Sequence, residues 1–309
     1  MKKNILIAGG IGFIGYHLCV KLLKQNNVIA VDDLSTANKH NLFLLKKFKN
    51  FKFIKKNIQN KFKLQCDEIY NLACPASPIK YQKNPIDTIK TNIFGTINLL
   101  ELAKLNNAKI FQASTSEVYG DPLEHPQKED YRGNVNTIGI RACYDEGKRL
   151  AESIFFDYKR TYNINIKIAR IFNTYGPNMN SDDGRVMSSF IISAINNKSL
   201  KINGNGKQTR SFCYIDDTVN GIIKLMNSNS KISGPINLGS TKEISMNYLA
   251  KKIISMTGSK SKIIYMSKVA DDPIKRKPSI KLAEKVLNWK HKTSLEVGVN
   301  KTIKYFKNI

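Results

Sequence analysis

The chain has 309 residues, 41% hydrophobic and 24% charged, with a formal net charge of +26. At roughly 150 residues per domain this suggests two domains, or one with an appended lobe, and excludes collagen-like, disordered and disulfide-scaffold classes. The excess charge is lysine, with Arg only 8 of the 50 basic residues; surfaces that clamp phosphates or read bases favour the guanidinium fork, so no nucleic-acid partner is expected.

No run approaches the ~20 apolar residues of a membrane span. The run Ile5 to Ala8 ends at Gly9-Gly10, too soon for a signal peptide. Five cysteines without CxxC spacing and four scattered histidines signal neither a disulfide framework nor a metal site. A cytoplasmic protein without a membrane partner is expected.

In chain order, the first half alternates short apolar runs with amphipathic helical patterns, as βαβ units and a parallel sheet require. Strands are expected at 4–8, 28–31, 51–54, 68–72, 109–114 and 165–170. Gly9-Gly10-Ile11-Gly12-Phe13-Ile14-Gly15 follows the first run and opens a helix. Glycines there permit a tight turn and close backbone approach, so a pyrophosphate can sit on the helix N-terminus. Asp32 closes the second run 20 residues after Gly12, where a carboxylate would accept the adenosine ribose hydroxyls and oppose the 2′-phosphate of NADP. The expected cofactor is NAD; a glycine-rich turn without ligand is the competing reading.

The segment Lys46 to Lys56, with Phe48, Phe51 and Phe53 interleaved, superficially suggests a base-stacking platform, but reads better as a solvated helix end followed by a buried strand. A long helix is expected next, with Asn84 as N-cap, Pro85 at its first position and Ile89, Ile93, Ile97 and Leu100 as its buried stripe. A second runs from about Tyr144 to Arg160. Beyond Asn173 the rhythm breaks into loops at 175–184 and 271–278 and a turn at 203–206, and Ile236 to Leu238 reads as an extra strand of the main sheet.

Tyr144 and Lys148 lie one helical turn apart on one face. Roughly two such pairs are expected by chance in this composition, and Tyr248 with Lys252 is the other. Position separates them: the first pair follows the fifth strand and its polar ending Ser114-Thr115-Ser116-Glu117, whereas Tyr248 reads as an ordinary helix residue.

These segments and the glycine loop together resemble the extended short-chain dehydrogenase/reductase family. The strings NLACPASP (71–78), KTNIFGTIN (90–98), STSEVYGDP (114–122), CYDEGKR (143–149), RIFNTYGP (170–177), DGRV (183–186) and QTRSF (208–212) narrow the resemblance to UDP-glucuronate decarboxylases, or UDP-xylose synthases, over nearly the whole chain. The segment Asp271 to Ile280 resembles them too. The chain departs from their pattern at Ala8, Asn57, Asn71, Arg132, Thr137 and Asn203, none a proton-transfer group.

The resemblance implies an α/β fold: a Rossmann-type doubly wound parallel sheet with a smaller mixed α/β C-terminal substrate lobe. Residues 1–174 plus about 212–240 would bind NAD; about 175–211 plus 241–309 would hold the nucleotide sugar. It implies Tyr144 as the base, with Lys148 supplying up to ~4 kcal/mol of charge stabilisation at ~4 Å and an effective dielectric of about 20. Thr115 would bind the sugar's C4 oxygen while a hydride leaves C4 for NAD. The resulting 4-ketone is β to the C6 carboxylate, so carbon dioxide leaves easily, and return of the hydride gives UDP-xylose.

Glu117 and Arg276 are the candidates for carboxylate handling and proton delivery; Glu117 reads otherwise as a structural strand-end carboxylate and Arg276 as a solvated loop cation. NAD contacts implied are Gly9, Gly12, Phe13, Ile14, Gly15 and Asp32, then Asn57, Ile58, Leu72 and Thr91, with Tyr144 and Lys148. Substrate contacts implied are Ser77, Lys90, Asn173, Arg185 and Arg210. A homodimer through the two long helices is expected. The alternatives are a nucleotide-sugar 4,6-dehydratase or 4-epimerase, and a non-catalytic basic protein that binds RNA or a partner.

Overall fold

The computed structural model describes residues 2–182, 184–268 and 271–308, so Asp183 of the DGRV string lies outside the described residues. The first six strands are β1 (Asn4–Ala8), β2 (Asn27–Asp32), β3 (Phe51–Lys55), β4 (Glu68–Asn71), β5 (Lys109–Thr115) and β6 (Ile166–Ile171). Short strands follow: β7 (Thr174–Tyr175), β8 (Leu200–Asn203), β9 (Thr209–Ser211), β10 (Cys213–Tyr214), β11 (Ile236–Leu238), β12 (Glu243–Ser245), β13 (Ile263–Met266) and β14 (Lys275–Arg276). The helices are α1 (Phe13–Leu22), α2 (Lys39–Leu45), α3 (Pro78–Lys83), α4 (Pro85–Lys90), α5 (Thr96–Asn106), α6 (Ala142–Tyr162), α7 (Val186–Ile195), α8 (Ile215–Met226), α9 (Met246–Thr257), α10 (Lys281–Leu287) and α11 (Leu295–Lys307).

Seven strands form one parallel sheet in the order β11-β6-β5-β4-β1-β2-β3. Alternate residues of β1 feed two cores: Ile5 and Ile7 pack with Leu18, Ile222 and Leu225 of α1 and α8, while Leu6 and Ala8 pack with Leu99 and Phe155 of α5 and α6. Helices on both faces are why the central strands β1 and β2 read as nearly continuous apolar runs. Ile236–Leu238 joins the sheet beside β6, as expected. The remaining strands make small sheets, β10-β7, β12-β9-β14 and β13-β8.

Three expectations need correction. Asn84 caps its helix, its side chain accepting from Asp87 N at 3.4 Å, but a π turn at Thr91–Gly95 divides the helix into α4 and α5. The wider turn rotates the face that follows, so Ile93 and Ile97 are half-buried, as Ile89 is ahead of it, while Leu100 is buried with Thr88, Thr91, Asn92, Thr96 and Leu99. This turns Asn92 against Gly147 of α6, where a Cβ would come within 2.9 Å of the Asn92 amide. Phe51, Phe53 and Ile54 are half-buried because β3 is the sheet's edge. The expected loop 271–278 contains β14, which pairs with β9.

Candidate active site

β1 lies between β4 and β2, so the strand order reverses there, and the carboxyl ends of the strands open a crevice as in other doubly wound sheets. A cavity of about 580 Å³ occupies it. Gly9, Gly12, Phe13, Ile14, Gly15, Leu72, Ser77, Thr115, Tyr144 and Lys148 line it, and Asn173, Arg185 and Arg210 line it from the later segments. Gly9 has φ +75°, and a Cβ there would stand 2.7 Å from the Leu72 backbone; a Cβ on Gly15 would stand 2.2 Å from the Gly9 carbonyl oxygen. Only glycine allows so close a passage of loop, helix and strand.

The residues present fit a dinucleotide. The N-terminus of α1 has no side-chain cap and no acidic residue in its first turn, and Gly12 and Phe13 present it to the cavity, where its N–H groups favour an anion. Ser77 Oγ and Asn178 Oδ1 are buried on the cavity wall without a partner. The Asp32 carboxylate ends β2 and accepts from Ile11 N at 3.1 Å and Leu34 N at 2.9 Å.

Tyr144 is 6% exposed and lines the cavity beside Thr115. Burial pushes its phenol well above the ordinary value, Cys74 adds to this, and the Thr115 side chain opposes it. Lys148 shares the cavity wall with Tyr144: its Nζ donates to the Ala113 carbonyl at 3.0 Å and stands 5.9 Å from the Tyr144 ring centroid. Burial lowers its own pKa.

Glu117 and Arg276 are brought together, but off the wall of the large cavity. Arg276 is 3% exposed and its Nη1 donates to Glu117 Oε1. Arg141 Nη2 donates to Glu117 Oε2 at 2.5 Å, and Arg141 and Arg210 reach the two oxygens of Asp272 at 3.5 and 2.9 Å. Burial alone would push the Glu117 carboxyl up; Arg276 and Arg141 outweigh it and hold the carboxyl at about 2. Arg276 Nε and Nη2 are buried without partners.

Lys90, Asn57, Ile58, Thr91 and Asp32 are not on the cavity wall. Lys90 is exposed; Thr91 Oγ1 accepts from Gln59 Nε2 at 2.9 Å; Asn57 accepts from Gln59 N at 2.9 Å; Ile58 packs against Gly95. Tyr248 is 51% exposed on α9 and Lys252 pairs with Glu296 at 3.0 Å, as the ordinary helix reading requires. Sequence reasoning missed Tyr81, Arg141, Asp145 and Asp272; Arg141 and Asp145 stand at i,i+4 spacing, while the other contacts of these residues join separate elements and leave no local signal.

A glycine-turned, uncapped helix at the switch point of a parallel sheet, with a buried Tyr, Thr and Lys facing the same crevice, defines a dinucleotide-dependent enzyme of nucleotide-sugar type. The chain belongs to the NAD dependent epimerase/dehydratase family, which it matches over residues 5–239. It is 50% identical over 300 residues to UDP-glucuronic acid decarboxylase 3 of Arabidopsis thaliana, covering 96% of this chain and 87% of the relative. It is 47% identical to UDP-glucuronic acid decarboxylase 1 of Xenopus tropicalis, covering 99% and 72%. The structure superposes with a TM-score of 0.90 on UDP-glucuronic acid 4-epimerase from Bacillus cereus in complex with UDP-glucuronic acid and NAD, at 28% identity and 99% of both chains.

Proposed function

We propose that this protein decarboxylates UDP-glucuronate to UDP-xylose through a UDP-4-keto sugar. The observation that carries the reading is Arg276: in register with Arg210 of β9 and paired with Glu117, a buried guanidinium keeps Nε and Nη2 without partners, the edge that pairs with a carboxylate through two parallel hydrogen bonds. A hexose without a C6 carboxylate offers that edge nothing.

NAD held in the crevice would supply the hydride acceptor for C4 and the hydride that C4 regains at the end. Tyr144 takes the proton of the C4 hydroxyl, which Thr115 orients. Carbon dioxide leaves from the β-keto acid, and the charge gathering on the C4 oxygen faces the Tyr144 and Thr115 hydroxyls. Arg276 holds the carboxylate in line for cleavage, beside Glu117. Gly9, Gly12, Phe13, Ile14, Gly15, Asp32 and Leu72 hold the dinucleotide; Ser77, Asn173, Arg185 and Arg210 hold the UDP-sugar. The division of labour we assign is 1–174 with about 212–240 for NAD and about 175–211 with 241–309 for the nucleotide sugar.

Five free thiols suit a reducing compartment, the cytoplasm. No helix among the described residues is long and apolar enough to cross a membrane. Exposed Ile86, Phe94 and Leu150 on the α4–α5 and α6 segments support a homodimer through these helices. Purified protein given UDP-glucuronate and NAD will release carbon dioxide and form a UDP-pentose by NMR, with no net dinucleotide reduction. Formation of the C4 epimer without carbon dioxide would overturn the reading.

A further inference from the structure

Decarboxylation consumes one proton per turnover. The C5–C6 bond breaks, carbon dioxide departs, the electron pair left behind ends as a C5–H bond, and that hydrogen comes from solvent. The Tyr144 proton is not available for it, because the proton taken from the C4 hydroxyl returns there on reduction. Glu117 holds none at neutral pH, since two guanidinium groups keep its carboxyl at about 2. The site therefore needs a route for a proton from outside and a group that holds it.

A second cavity, of about 180 Å³, lies against Glu117. Asp121, Asn134, Arg141, Asp145 and Asp271 share its wall. It is polar and roomy enough for several water molecules with two to four partners each. Asp145 follows Tyr144 directly on α6, is 6% exposed and has its Oδ1 buried without a partner. Its Oδ2 stands 3.9 Å from Arg141 Nε, which also lacks a hydrogen-bond partner. Of the carboxylates on this wall, Glu117 is thus clamped by two arginines, whereas Asp145 has only Arg141 Nε at 3.9 Å.

We infer that Asp145 holds the proton that the reaction consumes, passing it through water in the small cavity to the Glu117–Arg276 corner and so to C5, and taking another from solvent. Asp145 is a positioning residue in this scheme, since it touches neither substrate nor cofactor. The groups that face it are Glu117 after β5, Arg141 ahead of α6, Arg276 on β14 and Glu146 on its own helix, with Tyr81 of α3 and Cys143 within its field. Burial and then the Glu117 charge push its carboxyl up to about 7, against Arg141 and Arg276, so near neutral pH it both gives and regains a proton.

The inference rests on the proposed decarboxylation, and its test separates the two. In a single turnover with UDP-glucuronate and NAD, Asp145→Asn is expected to reduce the dinucleotide and release carbon dioxide at the wild-type rate, whereas the reduced dinucleotide decays at least ~10-fold more slowly because C5 waits for its proton. The wild-type decay rate falls as pH rises through about 7; the variant's decay is flat there. Val135→Phe fills the same cavity without changing a charge and slows the same step, and Asp145→Glu keeps the alkaline limb. Wild-type decay in both Asp145→Asn and Val135→Phe would overturn the inference, and so would equal slowing of oxidation and decay with a raised KM. Infrared titration reads the proton without turnover: a carboxylic-acid band lost near pH 7 in wild type and absent from Asp145→Asn supports Asp145 as its holder even if no carbon dioxide is released, in which case the proposed function is what fails. No such band in wild type would overturn the inference.

Discussion

The phenol rings of Tyr81 and Tyr144 lie face to face, their centroids 4.9 Å apart and their planes within 5° of parallel. Tyr81 is 1% exposed, and with Cys143 and half-buried Cys74 and Ile89 it closes an apolar pocket around the Tyr144 ring. The stack fixes the ring that must point at the C4 hydroxyl, and the same enclosure pushes the phenol's pKa up.

Tyr81→Ala is expected to destabilise the fold by ~3–5 kcal/mol, as for other buried aromatics, and to lower kcat more than it changes KM. Tyr81→Phe keeps the stack and removes a buried hydroxyl that has no partner, so its Tm rises, consistent with the ~1–3 kcal/mol that such a group costs. Thermal melts and steady-state rates of the two variants check this.

Tyr144→Phe is expected to bind substrate and NAD normally and to lose both dinucleotide reduction and carbon dioxide release by ~10²–10⁴-fold. Tyr248→Phe, on the exposed face of α9, changes neither. Calorimetry with stopped-flow absorbance separates binding from chemistry, and normal turnover by Tyr144→Phe would remove Tyr144 from its role.

The protein is expected to bind NAD more tightly than NADP. The Asp32 carboxylate is fixed by two backbone N–H groups at the end of β2, where a 2′-phosphate would meet its charge. Asp32→Ala weakens NAD by ~1.5–3 kcal/mol and narrows the preference. Equal calorimetric affinities for both dinucleotides in wild type would show that Asp32 does not face the ribose.

Arg276→Gln is expected to retain dinucleotide reduction on UDP-glucuronate while carbon dioxide release slows by at least ~100-fold, or ~3 kcal/mol. Labelled carbon dioxide measured beside absorbance reads the two steps apart. The variant also frees one side of Glu117. In wild type the lowered carboxyl contributes stability that is full above the ordinary pKa of 4.5 and is lost as pH falls through about 2. Without Arg276 the carboxyl rises toward its ordinary value, so acid unfolding followed by circular dichroism begins at higher pH.

How much was legible follows from where each signal lies. β1 and β2 could be read from sequence because central strands covered on both faces by helices are largely apolar, and the glycine turn because Gly12 and Gly15 are constrained by Gly9 within seven residues, although Gly9 itself is held by the Leu72 backbone. Asp32 needed only strand length and spacing. The division of α4 from α5 was not readable: the isoleucine spacing suits an unbroken helix, and the choice to bury Thr88, Thr91 and Asn92 instead belongs to the packing of α6 against them.

The charge network lay further out of reach. Arg276 meets Glu117 across 159 residues, and Arg141 meets Asp272 only because β14 pairs with β9 beside the site. Local spacing carries no mark of such partners. The sequence determined which side chains were present to do acid–base chemistry; tertiary packing decided that Lys148 turns to a carbonyl, that Tyr81 clamps Tyr144, and that Glu117 is clamped by two arginines while Asp145 beside it is left with an unpartnered oxygen. Burial and distance set the strength of each of these interactions, and both exist only once the chain has folded.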